Sequence, residues 1–545
     1  MKSKYWAMAA AAIAIIPLTA CGKSSSSSGS SQTISKMTND VIATMDSAQF
    51  TDAVSSQALT DTMAGLYRYK GTTLKPDMAK SKATVSKDQK TYTFHLHHDA
   101  KWSDGKKVTA QDFEYAWKRV VNPATKSPYA YIFSGIKNAD AILAGKADYK
   151  TLGVKATSKY TFVVKLDRPM PYFESMICLQ TFDPLEKSTV EKYGKKYANT
   201  SKQMTFNGPY ILKNWSGANN SWTEVKNPNY WNAKNVHVKK LKYQVVKENS
   251  TALNLYESGK LDDVSVTGSD AQQSKSEAGY NVVKQNFITY LTMNKQQVPE
   301  FGNQKVRQAL SMTINRKEFI KKVLGDGSTP AQTPVPTNMM YSDSGKDFGK
   351  EAAKGVTEYT SYNVAKAKKL FAEGMKEMGS SKLNFTLITQ DSASDKSTSE
   401  YLQNAFSKLS GNGLSVNVTV KSVPQKTWLA LGDAHNYGMM IGLWGADYPD
   451  SSNFLNRWTS TTSDFAGAWN NKEYDKLIAN AAGKDVLNKT KRWNDLQKAT
   501  KLITKDMGVI PIYQWGSAHL TKTSIKGMQY VPNSQYQYIG ATNKK

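Results

Sequence analysis

A single carboxylate between two aromatic residues is the part of this sequence best suited to ligand chemistry. The apolar and glycine residues at 437–444 predict a buried strand, and the Asp/Pro/Asp turn that follows cannot continue it. Asp447 therefore lies at the mouth of a strand, between Trp444 and Tyr448. A carboxylate in that position can bind a ligand cation, while the nearby glycines admit a second backbone. The alternative is a turn aspartate that binds its own backbone.

The N-terminus has the pattern of an exported lipoprotein. Lys2 and Lys4 precede an apolar run at residues 6–18, which is too short to span a bilayer comfortably and is flanked like a secretory signal. The sequence at 18–21 resembles the lipobox of bacterial lipoproteins, which implies that residues 1–20 are a signal peptide and that Cys21 is lipidated; a chance cysteine is the alternative. The serine-rich residues up to 33 predict a flexible tether, so that 21–33 anchor the protein at the extracellular face of the cell membrane.

Composition excludes some classes of partner. The chain has 39% hydrophobic and 11% aromatic residues, enough for the cores of two or three lobes. Its net charge of +27 comes from 65 lysines and seven arginines, whereas nucleic-acid recognition favours arginine, so we expect no nucleic-acid partner. The lysines predict a solvated surface that attracts anionic cell-wall polymers or lipid headgroups. After Cys21 only Cys178 remains, which excludes an internal disulfide.

No residue pattern predicts catalysis or a metal. His95 and His97 share one face of a predicted strand at 92–97, but no recognisable third and fourth ligand accompanies them, so we expect neither metal nor cofactor. The sequence has no phosphate loop, no HExxH and no Gly-x-Ser-x-Gly motif. We therefore expect a protein that is not an enzyme. Asp447 and Asp450 as the carboxylate pair of a secreted glycosidase remain a remote alternative.

Local patterns predict an α/β region in the second half of the chain. The predicted helices are 365–378, 397–409 and a short piece around Trp428, and the predicted strands are 383–389, 414–420 and 439–444. Near the start, Leu59, Met63 and Leu66 fall on one face of a helix whose first turn contains capping serines. Further helices are predicted to begin at Thr109, and at Asn315 with Gly325 as the end.

Several motifs in order resemble the extracellular solute-binding family 5, the oligopeptide-binding proteins of peptide ABC importers. Each motif alone is weak, but together they cover nearly the whole mature chain: residues 92–119, 122–131, 207–215, 227–231, 306–310 and 444–448. The resemblance implies an α/β, two-lobed periplasmic-binding-protein-like (Venus-flytrap) fold with an additional inserted lobe. It implies a discontinuous lobe I (34–64, 204–287 and 514–545), an inserted lobe II (65–203) and an α/β lobe III (288–513).

The resemblance also implies a function and a set of site residues. The protein would capture short peptides in extended form and deliver them, as a monomer, to ABC permease and ATPase subunits. One ligand-pairing strand matches Leu443, Trp444 and Gly445, and another matches Ala53, Val54 and Ser55. Asp447 matches an aspartate that binds the peptide α-amino group, and Tyr129 and Tyr131 are candidate pocket walls.

Two departures from the family concern the pocket. Relatives with a disulfide near this motif have cysteines where this chain has Gly445 and Ile288, so that disulfide is absent here. A pocket tryptophan of some relatives is replaced by Gln425, and Trp428, three residues on, is the candidate ligand contact in its place. Pocket shape and peptide preference are therefore not transferable. A surface receptor for a signalling peptide, a binder of haem or a metal chelate, and an adhesin remain alternatives of the same fold.

Overall fold

A computed structural model describes residues 32–461, 469–531 and 535–544. The predicted signal peptide, Cys21 and nearly all of the predicted tether lie outside these residues. Within them, no helix has both the length and the apolar character that crossing a membrane requires.

The helices of the described residues are mostly short. In chain order they are α1 (Ala53–Thr62), α2 (Ala110–Val121), α3 (Ala139–Leu143), α4 (Phe173–Met176), α5 (Lys187–Tyr193), α6 (Asn249–Glu257), α7 (Gly268–Gln273), α8 (Gln304–Met312), α9 (Arg316–Phe319), α10 (Phe348–Ala353), α11 (Val364–Glu377), α12 (Ala393–Ser407), α13 (Gln425–Asp433), α14 (Ser452–Leu455), α15 (Lys472–Ala482) and α16 (Lys489–Asp506).

The strands range from two-residue bridges to one of fourteen residues. In chain order they are β1 (Thr33–Thr38), β2 (Tyr67–Lys70), β3 (Thr73–Pro76), β4 (Thr84–Val85), β5 (Thr91–His95), β6 (Val154–Ser158), β7 (Thr161–Lys165), β8 (Tyr210–Lys213), β9 (Ser221–Lys226), β10 (Lys240–Val245), β11 (Asp263–Val266), β12 (Tyr280–Met293), β13 (Thr329–Pro330), β14 (Lys382–Gln390), β15 (Ser415–Val423), β16 (Met439–Gly445), β17 (Ile510–Thr521), β18 (Ile525–Lys526), β19 (Gln529–Val531), β20 (Gln535–Gln537) and β21 (Thr542–Asn543).

One large mixed sheet runs through the molecule. Its strand order is β15-β14-β16-β12-β17-β11-β1-β10-β9-β8, with β13 paired to β17. The long antiparallel strands β12 and β17 cross the predicted boundaries at 287/288 and 513/514, so the sheet continues from predicted lobe I into predicted lobe III. Their register is irregular between Lys284 and Ile288, at that crossing. The lobe boundaries themselves stay a prediction.

A second, smaller sheet lies within the predicted inserted lobe. Its order is β4-β5-β7-β6, all antiparallel. Tyr92 and Phe94 point inward as predicted, and Phe94 packs at 6.5 Å between ring centroids from Phe162, which also packs edge-on against Trp117 of α2. A continuous hydrophobic core joins this sheet to the β8–β10 end of the large sheet, while separate cores lie under β14–β16 and between β12 and α16.

The predicted helices and strands of the α/β region are confirmed, with ends shifted by at most four residues. The predicted caps are also confirmed: Asp112 accepts the Thr109 N–H at 2.8 Å, Asn315 caps α9, and Gly325 ends the following turn with φ +56°.

The prediction of a strand at Ala53, Val54 and Ser55 is wrong. These residues form the first turn of α1, because Asp52 has extended backbone and its carboxylate accepts the Ser55 N–H at 2.8 Å. Asp52, not a serine, is therefore the cap. The helix also ends at Thr62, so that of the three predicted residues only Leu59 lies within it, Met63 is its C-cap and Leu66 lies outside it.

Candidate functional site

Asp447 is buried at the end of β16 and bound by two side chains. The Tyr131 hydroxyl donates to its Oδ2 at 3.1 Å, and the Asn453 amide nitrogen donates to the same oxygen at 3.3 Å. The carboxylate therefore does not bind its own backbone as a simple turn aspartate would. Only 9% of Asp447 is exposed, whereas 50% of Tyr131 is exposed, so the tyrosine reaches from the protein surface to the buried carboxylate.

The surroundings of Asp447 oppose its negative charge. Burial raises the pKa of Asp447 to about 6, and the hydrogen bonds from Asn453 and Tyr131 together with the Arg457 charge offset only part of this effect. Burial, and then the nearby Asp447 charge, raise the pKa of Tyr131, which keeps its hydroxyl protonated as a donor. The carboxylate is thus held in a place where a cation would stabilise it strongly.

Asn453 ties the turn to the strand. Its side-chain oxygen accepts the Asp447 N–H at 3.2 Å and the Trp444 indole N–H at 2.9 Å. The Arg457 guanidinium lies over the Trp444 ring, 3.7 Å from its centroid. These contacts hold the Trp444 indole beside the carboxylate and fix the direction of the strand end.

Beyond Met440, one edge of β16 has no partner strand among the described residues. On one side β16 pairs with β12 along its whole length, but on the other it pairs with β14 only at Met439 and Met440. The Gly438 carbonyl accepts the N–H of Asn294, directly after β12, and the Ala446 N–H donates to the Asn286 carbonyl of β12. The main-chain N–H and C=O groups of the even-numbered residues therefore point toward β12. The main-chain groups of Leu443 and Gly445 therefore face the open edge.

Trp428 limits this open edge at its inner end. Its indole donates to the Ile441 carbonyl at 3.2 Å, the next outward-facing carbonyl before Leu443. The ring is 5% exposed and packs with Ile388, Val423 and Met440 in a small core. Trp428 thus lies beside the open edge as a wall of the α/β core, and its contact with a ligand stays a prediction.

Gly445 has a packing reason to be glycine. A Cβ at this position would lie 2.2 Å from the Phe287 ring of the neighbouring strand. Phe287 pairs with Gly445 in register, and its ring covers the Gly445 backbone. Any side chain here would displace that ring, so packing requires glycine at the end of the open edge.

Aromatic contacts connect this strand end to the start of α1. Tyr131 stacks on Tyr129 with ring centroids 6.0 Å apart, and Tyr129 stacks on Phe50 at 5.1 Å. Phe50 lies three residues before Ala53, so the structure brings Tyr129, Tyr131 and the α1 N-terminus close to Asp447. Burial, followed by the charges of Asp447 and Asp52, raises the pKa of Tyr129.

A second aromatic contact joins the turn after β16 to the start of α4. Tyr172 stacks flat on Tyr448, with centroids 4.5 Å apart and an interplanar angle of 7°. Asp450 accepts two hydrogen bonds from Arg492 at 2.8 and 2.9 Å. Burial opposes the ionisation of Asp450, but Arg492 and Ser452 outweigh it and hold the pKa of Asp450 below its usual value. Asp447 and Asp450 therefore differ in environment and do not form an equivalent pair.

Sequence reasoning missed Asn453, Arg457 and Tyr172. The Asp-Ser-Ser at 450–452 does predict a helix start after the turn, and α14 begins there, which would have placed Asn453 back over Asp447. Nothing local points to Tyr172, which is far from Tyr448 in sequence. His95 and His97, which share one face of a predicted strand, lie in a different part of the structure: the His97 ring stacks on Trp231 with centroids 4.0 Å apart.

Comparison with known proteins matches most of the chain to one family. Residues 73–466 match the profile described as "Bacterial extracellular solute-binding proteins, family 5 Middle". The chain is 35% identical to the dipeptide-binding protein of Lactococcus lactis, over 95% of each chain. Among solved structures it is similar to Listeria monocytogenes OppA bound to peptide, with a TM-score of 0.78, 33% identity, and coverage of 94% of this chain and 99% of that one. It is equally similar to the pheromone receptor PrgZ, with a TM-score of 0.78, 32% identity, and coverage of 94% and 100%. The chain therefore belongs to the bacterial extracellular solute-binding proteins of family 5, with their mixed α/β binding-protein fold.

Proposed function

We propose that this protein is a lipid-anchored extracellular substrate-binding protein that captures short peptides in extended form and delivers them to an ABC importer. One observation carries the proposal: the open edge of β16 at Leu443 and Gly445 ends at the buried carboxylate of Asp447. A strand edge binds any peptide main chain, and a buried carboxylate binds the α-amino group that every free peptide has. The names of the Lactococcus and Listeria relatives support a peptide ligand.

The geometry of the edge determines how the peptide lies. Asp447 follows the C-terminal end of β16, so a peptide with its amino group at Asp447 has its N-terminus at that end. The peptide therefore runs antiparallel to β16. Leu443 and Gly445 each offer one N–H and one C=O, while Trp428 occupies the carbonyl of Ile441. These four groups pair with the first few residues of a peptide, whatever its side chains.

Tyr129 and Tyr131 close the site from the opposite side. Both belong to the predicted inserted lobe, and Tyr131 reaches Asp447 from there. We infer that the irregular β12–β17 pairing at Lys284–Ile288 is the hinge about which the lobes open and close on ligand. The N-terminus of α1, with Ala53, Val54 and Ser55, forms the neighbouring wall in place of a second pairing strand.

Mass spectrometry of ligands that copurify with the protein tests the proposal most directly. We expect a mixture of short peptides, and calorimetry with peptides of two to about ten residues should give binding with little sequence preference. Recovery of a sugar, haem or a metal chelate, without peptide, would overturn it.

Labelling with a radioactive or clickable fatty acid tests the anchor separately. Cys21→Ser should abolish lipid incorporation and leave the protein unprocessed or released from the membrane. Cys178→Ser is the matched control, because this half-buried thiol is free and should not affect labelling. Lipid incorporation that survives Cys21→Ser would contradict the lipoprotein assignment.

A signalling role is the second candidate, favoured by the similarity to a pheromone receptor. It predicts a narrow preference for one peptide, which the same calorimetry distinguishes from general capture. We do not expect catalysis by a glycosidase-type carboxylate pair, because both oxygens of Asp450 are bound by Arg492.

A further inference from the structure

The β8–β10 end of the large sheet has one open, lysine-bearing face. Along β1, β8, β9 and β10 the side chains alternate, so that one face is buried except at the strand ends Thr38, Lys226 and Val245, while every residue on the other face is half-buried or exposed. Lys213, Thr223, Lys242 and Ser35 form one cross-strand row on the open face. Lys240 lies in the next row, beside Thr33.

The lysines of this face form no ion pair among the described residues, and the nearby Asp262 carboxylate is buried and accepts the Ser35 N–H at 2.9 Å. The segment from β8 to β10 contains one carboxylate, Glu224, and this residue is completely buried on the opposite face. Within the part of the chain that the structure describes, no carboxylate lies within ion-pair distance of Lys213, Lys242 or Lys260. By contrast, Lys305 and Lys106 each contact two carboxylates.

The face also contains a polar groove of about 590 Å³. Its only charged lining residues are Lys242 and Lys260, and four serine and threonine residues line it with them: Thr33, Ser35, Ser221 and Thr223. Ammonium groups with hydroxyl donors and no carboxylate are the chemistry that binds phosphate oxygens. The groove therefore fits a phosphate-bearing headgroup better than a neutral or cationic ligand.

The path of the chain places this face near a bilayer. β1 starts at Thr33, at the edge of the groove, and the proposed lipidated Cys21 lies twelve residues before it. Even fully extended, that segment spans only about 40 Å. A lipid anchor on Cys21 thus keeps the Thr33 end of the sheet within that distance of the membrane surface.

We propose that the face formed by Lys213, Lys240, Lys242 and Lys260, which we name the lysine face, docks onto anionic phospholipid headgroups of the membrane. The geometry rests on the proposed anchor, but the contact itself does not need it. α1 packs on the other side of the sheet, where Tyr243 of β10 donates to Asp61. Docking by the lysine face therefore leaves the α1 N-terminus and the peptide site uncovered.

Sedimentation with lipid vesicles tests this proposal. A chain that begins at Gln32 keeps every contact described above, because its cores and sheets form among residues 33–544. It should bind phosphatidylglycerol vesicles at low salt and phosphatidylcholine vesicles much less, and binding should weaken steeply as salt rises. The triple variant Lys213→Gln/Lys242→Gln/Lys260→Gln should lower the partition coefficient about a hundredfold, because each lysine contributes roughly a factor of five.

The matched control removes three exposed lysines at the opposite end of the same sheet. Lys382 begins β14, Lys421 lies on the edge strand β15, and Lys426 lies in α13. Changing these three to Gln alters the net charge equally and should have little effect. Equal losses in both variants, or no preference for anionic vesicles, would overturn the proposal, as would binding to a soluble glycerol-phosphate polymer without binding to vesicles. Peptide calorimetry on the same variants should be unchanged, which separates this result from a failure of the proposed function.

Discussion

Asp447→Asn removes the charge that we propose binds the peptide amino group and keeps the shape of the side chain. The asparagine oxygen can still accept the Tyr131 and Asn453 hydrogen bonds, so the site should remain assembled. In a closed site, loss of one partner leaves the ammonium group of the peptide buried without its counter-charge. Such losses cost roughly 2–5 kcal/mol. The dissociation constant for a free peptide should therefore rise by about thirtyfold to a few thousandfold.

The same substitution should stabilise the ligand-free protein. Burial raises the pKa of Asp447 from 3.8 to about 6, a shift that corresponds to roughly 3 kcal/mol. Because the folded pKa is raised, the ionised carboxylate destabilises the fold fully above about pH 6. The penalty declines as pH falls through 6 and disappears near pH 4, where the unfolded chain is protonated too. Asp447→Asn should thus raise the thermal midpoint at pH 7.5 and have little effect at pH 4.

Two measurements on the purified protein check this reasoning. Calorimetry at pH 7.5 compares a free tripeptide with its N-acetylated form, and the acetylated peptide should bind the wild type weakly and lose little in Asp447→Asn. Thermal unfolding is followed from pH 4 to 8. Asp433→Asn in α13 is the matched control, since this aspartate is exposed and should change neither quantity. If free and acetylated peptides bind the wild type equally well, or lose affinity equally in Asp447→Asn, Asp447 is structural only.

Three further predictions concern the surroundings of Asp447. Leu443→Pro removes an N–H on the open edge, so it should weaken peptide binding in calorimetry with little change in thermal midpoint. Trp444→Pro breaks pairing with β12 and should destabilise the fold. Equal destabilisation by the two variants would refute the assigned edge. Asp450→Asn leaves the buried Arg492 uncompensated and should cost about 3–5 kcal/mol in urea unfolding at pH 7. Because the folded pKa of Asp450 is lowered, wild-type stability from this pair should fall as pH drops below about 4, and Asp450→Asn should lose that dependence. Tyr131→Phe removes a hydrogen-bond donor that favours the ionised carboxylate. The pKa of Asp447, measured by carbon NMR, should therefore rise above its wild-type value. An unchanged pKa would mean that the hydrogen bond does not form.

Local patterns were sufficient to predict the strand that carries the site. The apolar run and the turn residues after it predicted β16, and its observed bounds, Met439–Gly445, differ from the prediction by one residue. The turn chemistry also placed Asp447 at the strand end. The burial of Asp447 and the open edge of β16 could not be read from this segment, because both depend on the neighbouring parts of the chain and on how far β14 and β12 extend beside β16.

The start of α1 shows why a family resemblance alone can misplace an element. Asp52 and the serines after it all favour a helix N-terminus, and the structure uses Asp52 as the cap. Ser55 then turns inward, where its hydroxyl accepts the N–H groups of Ala43 and Thr44 at 3.1 Å. A strand here would leave those donors without that partner. The local pattern of Asp52 and the serines therefore predicted this segment better than the strand position implied by the family resemblance.

The contacts that cross the site were beyond prediction because their partners are far apart in sequence. Tyr131 and Asp447 are separated by 316 residues, and Asp450 and Arg492 by 42. No spacing rule relates such positions, and only the tertiary fold brings them together.

Asn453 shows how one polar residue sets both parts of the site at once. Its oxygen accepts from the Asp447 backbone and the Trp444 indole, and its nitrogen donates to the Asp447 carboxylate. The strand end, the aromatic wall and the carboxylate therefore have one common support in α14. Since the Asp447 N–H is taken by Asn453, it cannot pair with a ligand, and the open edge must end at Gly445. In the binding mode that we propose, the ligand main chain therefore pairs with two residues of β16, and its amino group binds the carboxylate directly beyond them.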